Sequence, residues 1–153
     1  MADDALERVK SALSDKAIAV QISSPRRVYV DVADENLTAA ASCLFNDMNA
    51  RYAIASGLQT EEGFEVLHHF GLDADHVVVT LRVKAEGESP EFTSLTPMIK
   101  GAAFIEREMH DLLGMKFRGH PNLERLILPD DWPEGVYPLR RGKPWEGKVE
   151  MPK

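Results

Sequence analysis

The chain of 153 residues has one cysteine, Cys43. One thiol cannot close an internal disulfide, and it excludes ligation of zinc or an iron–sulfur cluster by several cysteines. Any electron carrier is therefore expected on another chain. Also missing is an apolar run approaching the ~20 residues of a membrane-spanning helix. The start, Met1-Ala2-Asp3-Asp4, lacks the basic residue and apolar run of a secretory leader, so a cytoplasmic location is expected. There is no G-x-G-x-x-G, no Walker loop and no H-E-x-x-H. No spacing supports a Ser/His/Asp or Cys/His catalytic set.

With 44% apolar and 28% charged residues, a chain of this length can bury one core. Residues 1–100 hold 16 acidic and 9 basic residues and hence the whole net charge of −7, while 101–153 carries nine of each sign. The acidic first part argues against a phosphate backbone as partner. The basic cluster Arg140, Arg141 and Lys143 suits local contacts with a protein.

Periodicity supplies the elements. Leu6, Val9 and Leu13 predict a helix over 4–13, capped by Asp3 or Asp4. Ile18, Val20 and Ile22 alternate, a Ser24-Pro25-Arg26 break follows, and Val28, Val30 and Val32 alternate again, so two strands are expected. Leu37, Ala40, Ala41, Leu44, Phe45 and Met48 form one helical stripe over 34–49, with Asp34 or Asn36 as N-cap. Three more strands are predicted at 52–60, 64–71 and 76–84. Within the second, His68 shares its face with Phe64, Val66 and Phe70, which predicts a hydrogen-bonded core histidine. The expected fold is α+β: a mixed, mainly antiparallel sheet of about five strands with helices on one face, followed by an extended Pro-rich tail. The expected organisation is an α+β unit over 1–100, a helix and arm of the same domain over 101–128, and a docking tail over 129–153. Six prolines from Pro121 onward leave no room for a strand ladder or long helix beyond about residue 128.

Residues 102–113 predict a further helix ended by Gly114. Its apolar face is read as Phe104, Ile105, Met109 and Leu112. Glu106, Arg107 and His110 are expected to point away, with Glu108 and Asp111 on the border. Arg107 and Asp111 stand four apart and predict a surface salt bridge. Residues 115–121 read as an extended arm leaving the domain.

The run Glu106-Arg107-Glu108, then Asp111, Gly114, Phe117, His120-Pro121, Leu123 and Arg125 resembles the signature of the 30 kDa subunit family of respiratory NADH dehydrogenase (complex I). Trp132 followed by Pro138-Leu139-Arg140-Arg141 is similar to the family's ending. The resemblance implies a non-catalytic, cofactor-free subunit of a membrane-attached oxidoreductase complex. It implies docking on the large catalytic subunit, of the nickel–iron or quinone-site type, near a ferredoxin-like iron–sulfur subunit. Family members usually follow P-L-R-K with an acidic residue, whereas Arg141 is followed by Gly142-Lys143-Pro144-Trp145. That difference and the short chain point toward the energy-converting hydrogenase branch. On this reading Glu106, Arg107, Glu108 and Asp111 fix the arm at Gly114, and His120-Pro121 and Arg125 set its turn. Arg140 and Arg141 meet acidic groups of the large subunit. An isolated chain is open to homodimerisation through its unfilled interface.

Two other classes compete. His110-Asp111 is the dipeptide of HD-type metal phosphohydrolases, but the remaining histidines fall in strands and an arm rather than on neighbouring helices. A free-standing adaptor that binds through the tail is the other.

Overall fold

The computed structural model describes residues 2–142; Lys143, Trp145 and the rest of the expected docking tail lie outside the described residues. In chain order the elements are α1 (Ala2–Leu13), β1 (Ala17–Ser24), β2 (Arg27–Val32), α2 (Leu37–Ser42), β3 (Arg51–Gln59), β4 (Phe64–Leu72), β5 (Val77–Ala85), β6 (Glu91–Thr93), α3 (Ala103–Leu113) and β7 (Lys116–Arg118).

The five long strands form one sheet in the order β1-β2-β5-β4-β3. Neighbours are antiparallel except β2 and β5, which run parallel across the link that contains α2. Short turns force antiparallel pairing, and only the long crossover permits the parallel one. In register, Val28 and Val30 oppose Val79 and Leu81, which in turn oppose Phe70 and His68. All six are fully buried and define the helix-covered side. Helices α1 and α2 pack over β5, and α3 packs over β3. Gly57 on β3 lets α3 approach closely, because a Cβ there would lie 2.7 Å from Met109 Sδ. The result is the α+β layer with a mixed sheet that the sequence predicts.

The stripe of the second helix holds in a broken form. A 3₁₀ turn at Asp34–Asn36 precedes α2, and a π turn at Cys43–Asp47 follows it. Leu37, Ala40, Ala41 and Leu44 are fully buried. Neither Asp34 nor Asn36 caps this helix through its side chain. Asp34 instead accepts the Thr93 N–H at 2.7 Å and the Thr93 hydroxyl at 2.8 Å, and it pairs with Arg118. The thiol of Cys43 faces the Ala12 carbonyl at 3.7 Å, and burial raises its pKa.

The arm at 115–121 does not leave the domain. Residues Lys116–Arg118 form β7, which pairs parallel with β6. Met115 is fully buried, and Phe117, 4% exposed, stacks on Phe92 at 6.1 Å between centroids. An isolated three-residue strand carries too little periodicity to be read from sequence. Its ordering comes from these two apolar side chains entering the core.

At the opposite end of the sheet, β1 keeps Ile18 72% and Ile22 45% exposed. Its apolar residues alternate in sequence, but α1 and α2 pack over β5 and α3 over β3, which leaves this edge strand exposed.

Candidate functional site

Helix α3 turns Ala102, Glu106, Met109 and Leu113 toward the core, a stripe at i, i+4, i+7 and i+11. The expected inward face is therefore rotated. Phe104 is 65% exposed and carries the Arg107 guanidinium 5.9 Å above its ring. Glu106, expected outside, is fully buried. Its Oε2 accepts the hydroxyls of Ser94 at 2.6 Å and Thr96 at 2.8 Å, and Oε1 accepts the Leu95 N–H at 2.7 Å. A buried carboxylate is tolerable only with such a set of donors. The signal that sequence reasoning missed is the hydroxyl-rich run Thr93-Ser94-Leu95-Thr96.

Arg107 and Asp111 do not pair with each other. Both grip the main chain of the segment that wraps back over α3. Arg107 donates through Nε to the Glu124 carbonyl at 2.9 Å and through Nη2 to that of Arg125 at 2.8 Å. Asp111 Oδ2 accepts the backbone N–H groups of Leu126 and Ile127 at 2.8 Å each and of Leu128 at 3.2 Å. Burial works to raise the Asp111 pKa, but the three N–H groups outweigh it and leave the carboxyl below its ordinary value. A surface salt bridge offers a few tenths of a kcal/mol. Hydrogen bonds to a charged group offer about 1.5–3 kcal/mol, which explains why backbone donors win.

The turn at 119–122 is bracketed by His120. Its Nε2–H donates to the Ala103 carbonyl at 3.1 Å, which leaves Nδ1 to accept the Asn122 N–H at 3.0 Å. Pro121 follows at the surface. Arg125 then donates to the carbonyls of Pro129 at 2.9 Å and Trp132 at 2.7 Å, closing a loop around its own guanidinium. Trp132 is half-buried, and its indole N–H meets the Val136 carbonyl at 2.9 Å.

The last described stretch closes over the C-terminus of α3. Gly114, with φ +69°, stops the helix, and its N–H returns to the His110 carbonyl at 3.0 Å. Leu139 donates its N–H to the Leu112 carbonyl at 3.0 Å. Arg140 Nε donates to the Leu113 carbonyl at 2.7 Å. Terminal helix carbonyls, with their partial negative charge, are thus met by a cation. The Arg140 guanidinium also lies 4.5 Å from the Tyr137 ring centroid and 5.0 Å from that of Phe64. Arg140, read from sequence as reaching for a partner's acid, is turned inward because these carbonyl and aromatic partners surround it. The Arg141 N–H bonds Gln59 Oε1 at 2.6 Å. Pro138 and Leu139 are exposed, Leu139 at 58%. Between this strap and the β3–β4 turn lies an open cleft of about 1140 Å³, with Glu61, Glu62 and Glu88 among its lining residues together with Tyr137, Arg140 and Arg141.

The histidine–aspartate pair of α3 is engaged differently from a metal site. His110 Nδ1–H donates to the Met115 carbonyl at 2.7 Å, and Asp111 holds three amides as described. Among the described residues, no group of three or more His, Cys, Asp or Glu side chains is placed to hold a metal ion. His68 is fully buried on the core face, with Nδ1 3.3 Å from the Tyr52 hydroxyl, and burial lowers its pKa to about 3.

The large apolar side chains exposed along α3 and its wrap are Phe104, Leu126 (38% exposed), Ile127 (55%) and Leu139, beside the exposed acids Glu124, Asp130, Asp131 and Glu134. Glu108, half-buried one turn after Phe104, makes no hydrogen bond or ion pair among the described residues.

Comparison with known proteins gives a consistent picture. Residues 30–149 match the family described as respiratory-chain NADH dehydrogenase, 30 Kd subunit. The C subunit of NADH-quinone oxidoreductase from Roseiflexus sp. (strain RS-1) is 34% identical over 146 residues, covering 91% of this chain and 82% of that protein. Formate hydrogenlyase subunit 5 of Escherichia coli (strain K12) is 36% identical over 94 residues, covering 61% of this chain and only 15% of that much longer protein. In fold, the chain resembles a trypsin-resistant fragment (1-134) of Nqo5, with TM-score 0.60 and 24% identity over 80% of this chain and 100% of the fragment. It also resembles a chain of the membrane-bound sulfane sulfur reductase, an archaeal respiratory membrane complex, with TM-score 0.77 and 18% identity over 88% of this chain and 82% of that one.

Proposed function

The chain belongs to the respiratory-chain NADH dehydrogenase 30 kDa subunit family, and from that premise we propose that it is a non-catalytic, cofactor-free subunit that docks on the large catalytic subunit of a membrane-associated oxidoreductase complex. The large subunit is of the nickel–iron or quinone-site type, and a ferredoxin-like iron–sulfur subunit lies nearby. Kinship to both NADH-quinone oxidoreductase and formate hydrogenlyase subunits is compatible with either branch, and the missing acidic residue after Arg141 favours the hydrogenase one. No helix among the described residues is long and apolar enough to cross a membrane. Attachment through the complex, on the cytoplasmic side, is the arrangement proposed.

One observation carries this reading. Most of the charged residues of the signature hold the protein's own backbone, while several large apolar residues beside them stay outside. Glu106, Arg107, Asp111, His120, Arg125 and Arg140 each bond a main-chain group within the chain. Such an arrangement fixes the shape of a surface and presents Phe104, Leu126, Ile127 and Leu139 to a neighbour. Exposed aromatic and aliphatic residues on a rigid frame suit a protein interface.

The test is purification from membranes in mild detergent through a tag on this chain. Co-purification of a large subunit with nickel–iron or quinone-site ligands, together with an iron–sulfur subunit, is expected. Recovery of the tagged chain alone, or substrate turnover by the pure polypeptide, overturns the reading.

A further inference from the structure

We propose that Glu108 receives an arginine or lysine of the large subunit, so the paired charge at this interface is acidic on this chain and basic on the partner. The proposal rests on the docking reading above and adds an acid on this chain to the paired arginines that the sequence suggests.

Three observations lead to it. First, the guanidinium groups of Arg107, Arg125 and Arg140 are already engaged, whereas Arg141 bonds through its backbone N–H alone. Arg107 and Arg125 hold carbonyls of the wrap, and Arg140 lies on the Leu113 carbonyl between Phe64 and Tyr137. Removing any of them to face a partner would orphan those acceptors. Second, Glu108 stands apart from the other acids of the helix. Glu106 is saturated by donors from 94–96 and Asp111 by the amides of 126–128, whereas Glu108 has no partner among the described residues. Third, an exposed apolar side chain neighbours it along the helix. Residues four apart lie one above the other on a helix, so Glu108 sits between Phe104 and Leu112. The Leu112 carbonyl accepts the N–H of Leu139, whose side chain is 58% exposed.

The consequence follows from desolvation. While the ridge is in water, a half-buried Glu108 is solvated and costs little. Covering Phe104 and Leu139 with protein strips that water, and an unpaired carboxylate there opposes association. A cation on the covering surface removes the penalty and fixes the register of docking. An acidic or wholly apolar covering surface leaves it in place.

The experiment compares the tagged chain with Glu108→Gln, Glu108→Lys and the double variant Phe104→Ser/Ile127→Ser, each expressed with the other subunits of its complex. The readout is the amount of large subunit retained during washing at low and high salt. Thermal melting of each purified chain serves as the folding control. The two Glu108 variants are expected to melt like the wild type, since no described hydrogen bond or ion pair is lost. Glu108→Lys should retain about tenfold less large subunit or fall further. Glu108→Gln should show an intermediate loss with a flatter salt dependence. Wild-type retention and salt dependence in Glu108→Gln overturns the pairing, whatever Glu108→Lys does. If in addition the double variant retains the large subunit at the wild-type level, the docking face itself is overturned. If the double variant alone loses it, the face stands and only the charge pairing falls.

Discussion

Asp111 Oδ2 lies 2.8 Å from the backbone nitrogen of Ile127. The same oxygen also takes the amides on either side, so one carboxylate orders three consecutive peptide groups. Asp111→Ala is expected to leave these amides without their acceptor and to lower stability by about 2–4 kcal/mol, since each lost hydrogen bond to a charged group costs about 1.5–3 kcal/mol and water recovers part of it. Urea unfolding measures the loss. Trypsin cleavage after Arg125 should accelerate at the same time, because the wrap is then free to open.

Glu106 makes a sharper case, because nothing solvates it. Glu106→Gln keeps the size but turns an amide NH₂ toward donors from Ser94, Leu95 or Thr96, and it is expected to cost about 3 kcal/mol. Glu106→Ala should cost at least as much. Equal urea midpoints for wild type and Glu106→Gln would refute the assigned role.

The strap at 137–141 depends on a residue without a side chain. At Gly114 an added Cβ would lie 2.5 Å from the Tyr137 ring and 2.6 Å from Arg140 Nη2, and the backbone there has φ +69°. Gly114→Ala is therefore expected to release the strap as well as strain the helix end. Arg140→Ala should release it with less strain, at about 1–2 kcal/mol for the lost cation–π contacts. Hydrogen exchange should rise at Leu139 and Arg140 in both variants, with the sheet amides still protected.

His68 gives the pH dependence. Its pKa is about 3 in the folded chain against an ordinary 6.5. The unfolded chain therefore takes up a proton below about pH 6.5 that the folded chain refuses until near pH 3. Stability from this group is fully present above the unfolded value and declines as pH falls, by at most about 1.4 kcal/mol per pH unit. In His68→Phe the slope between about pH 6 and 4 should be shallower by up to that amount. Parallel curves for the two proteins would contradict it.

The sheet was readable because alternation survives burial. Val77, Val79, Leu81 and Val83 announce β5, and the long link through α2 announces the one parallel pairing. The helix stripe from Leu37 to Leu44 was equally plain, although its N-cap was not, since Asp34 is drawn to Thr93 and Arg118, distant in sequence. The signature helix was legible as a helix and as the place of interest, but its rotation was not. Periodicity assigns carboxylates to water, whereas Glu106 finds its donors on a loop that no helical pattern reveals. Arg107 and Asp111 were misread as partners for a related reason. Their spacing was right, but the competing partners were main-chain groups, which leave no mark on the sequence that supplies them.

Those main-chain grips carry an implication for how this surface can change. Arg107, Asp111 and Arg125 hold carbonyls, which every residue possesses, and amides, which every residue but proline possesses, so they fix the trajectory of 124–132 while excluding little beyond proline at 126–128. The side chains along that ribbon are interchangeable tiles on a rigid rail. On the docking proposed above, rewriting Leu126 and Ile127 is expected to redirect which neighbour the chain accepts while its path across the helix stays the same.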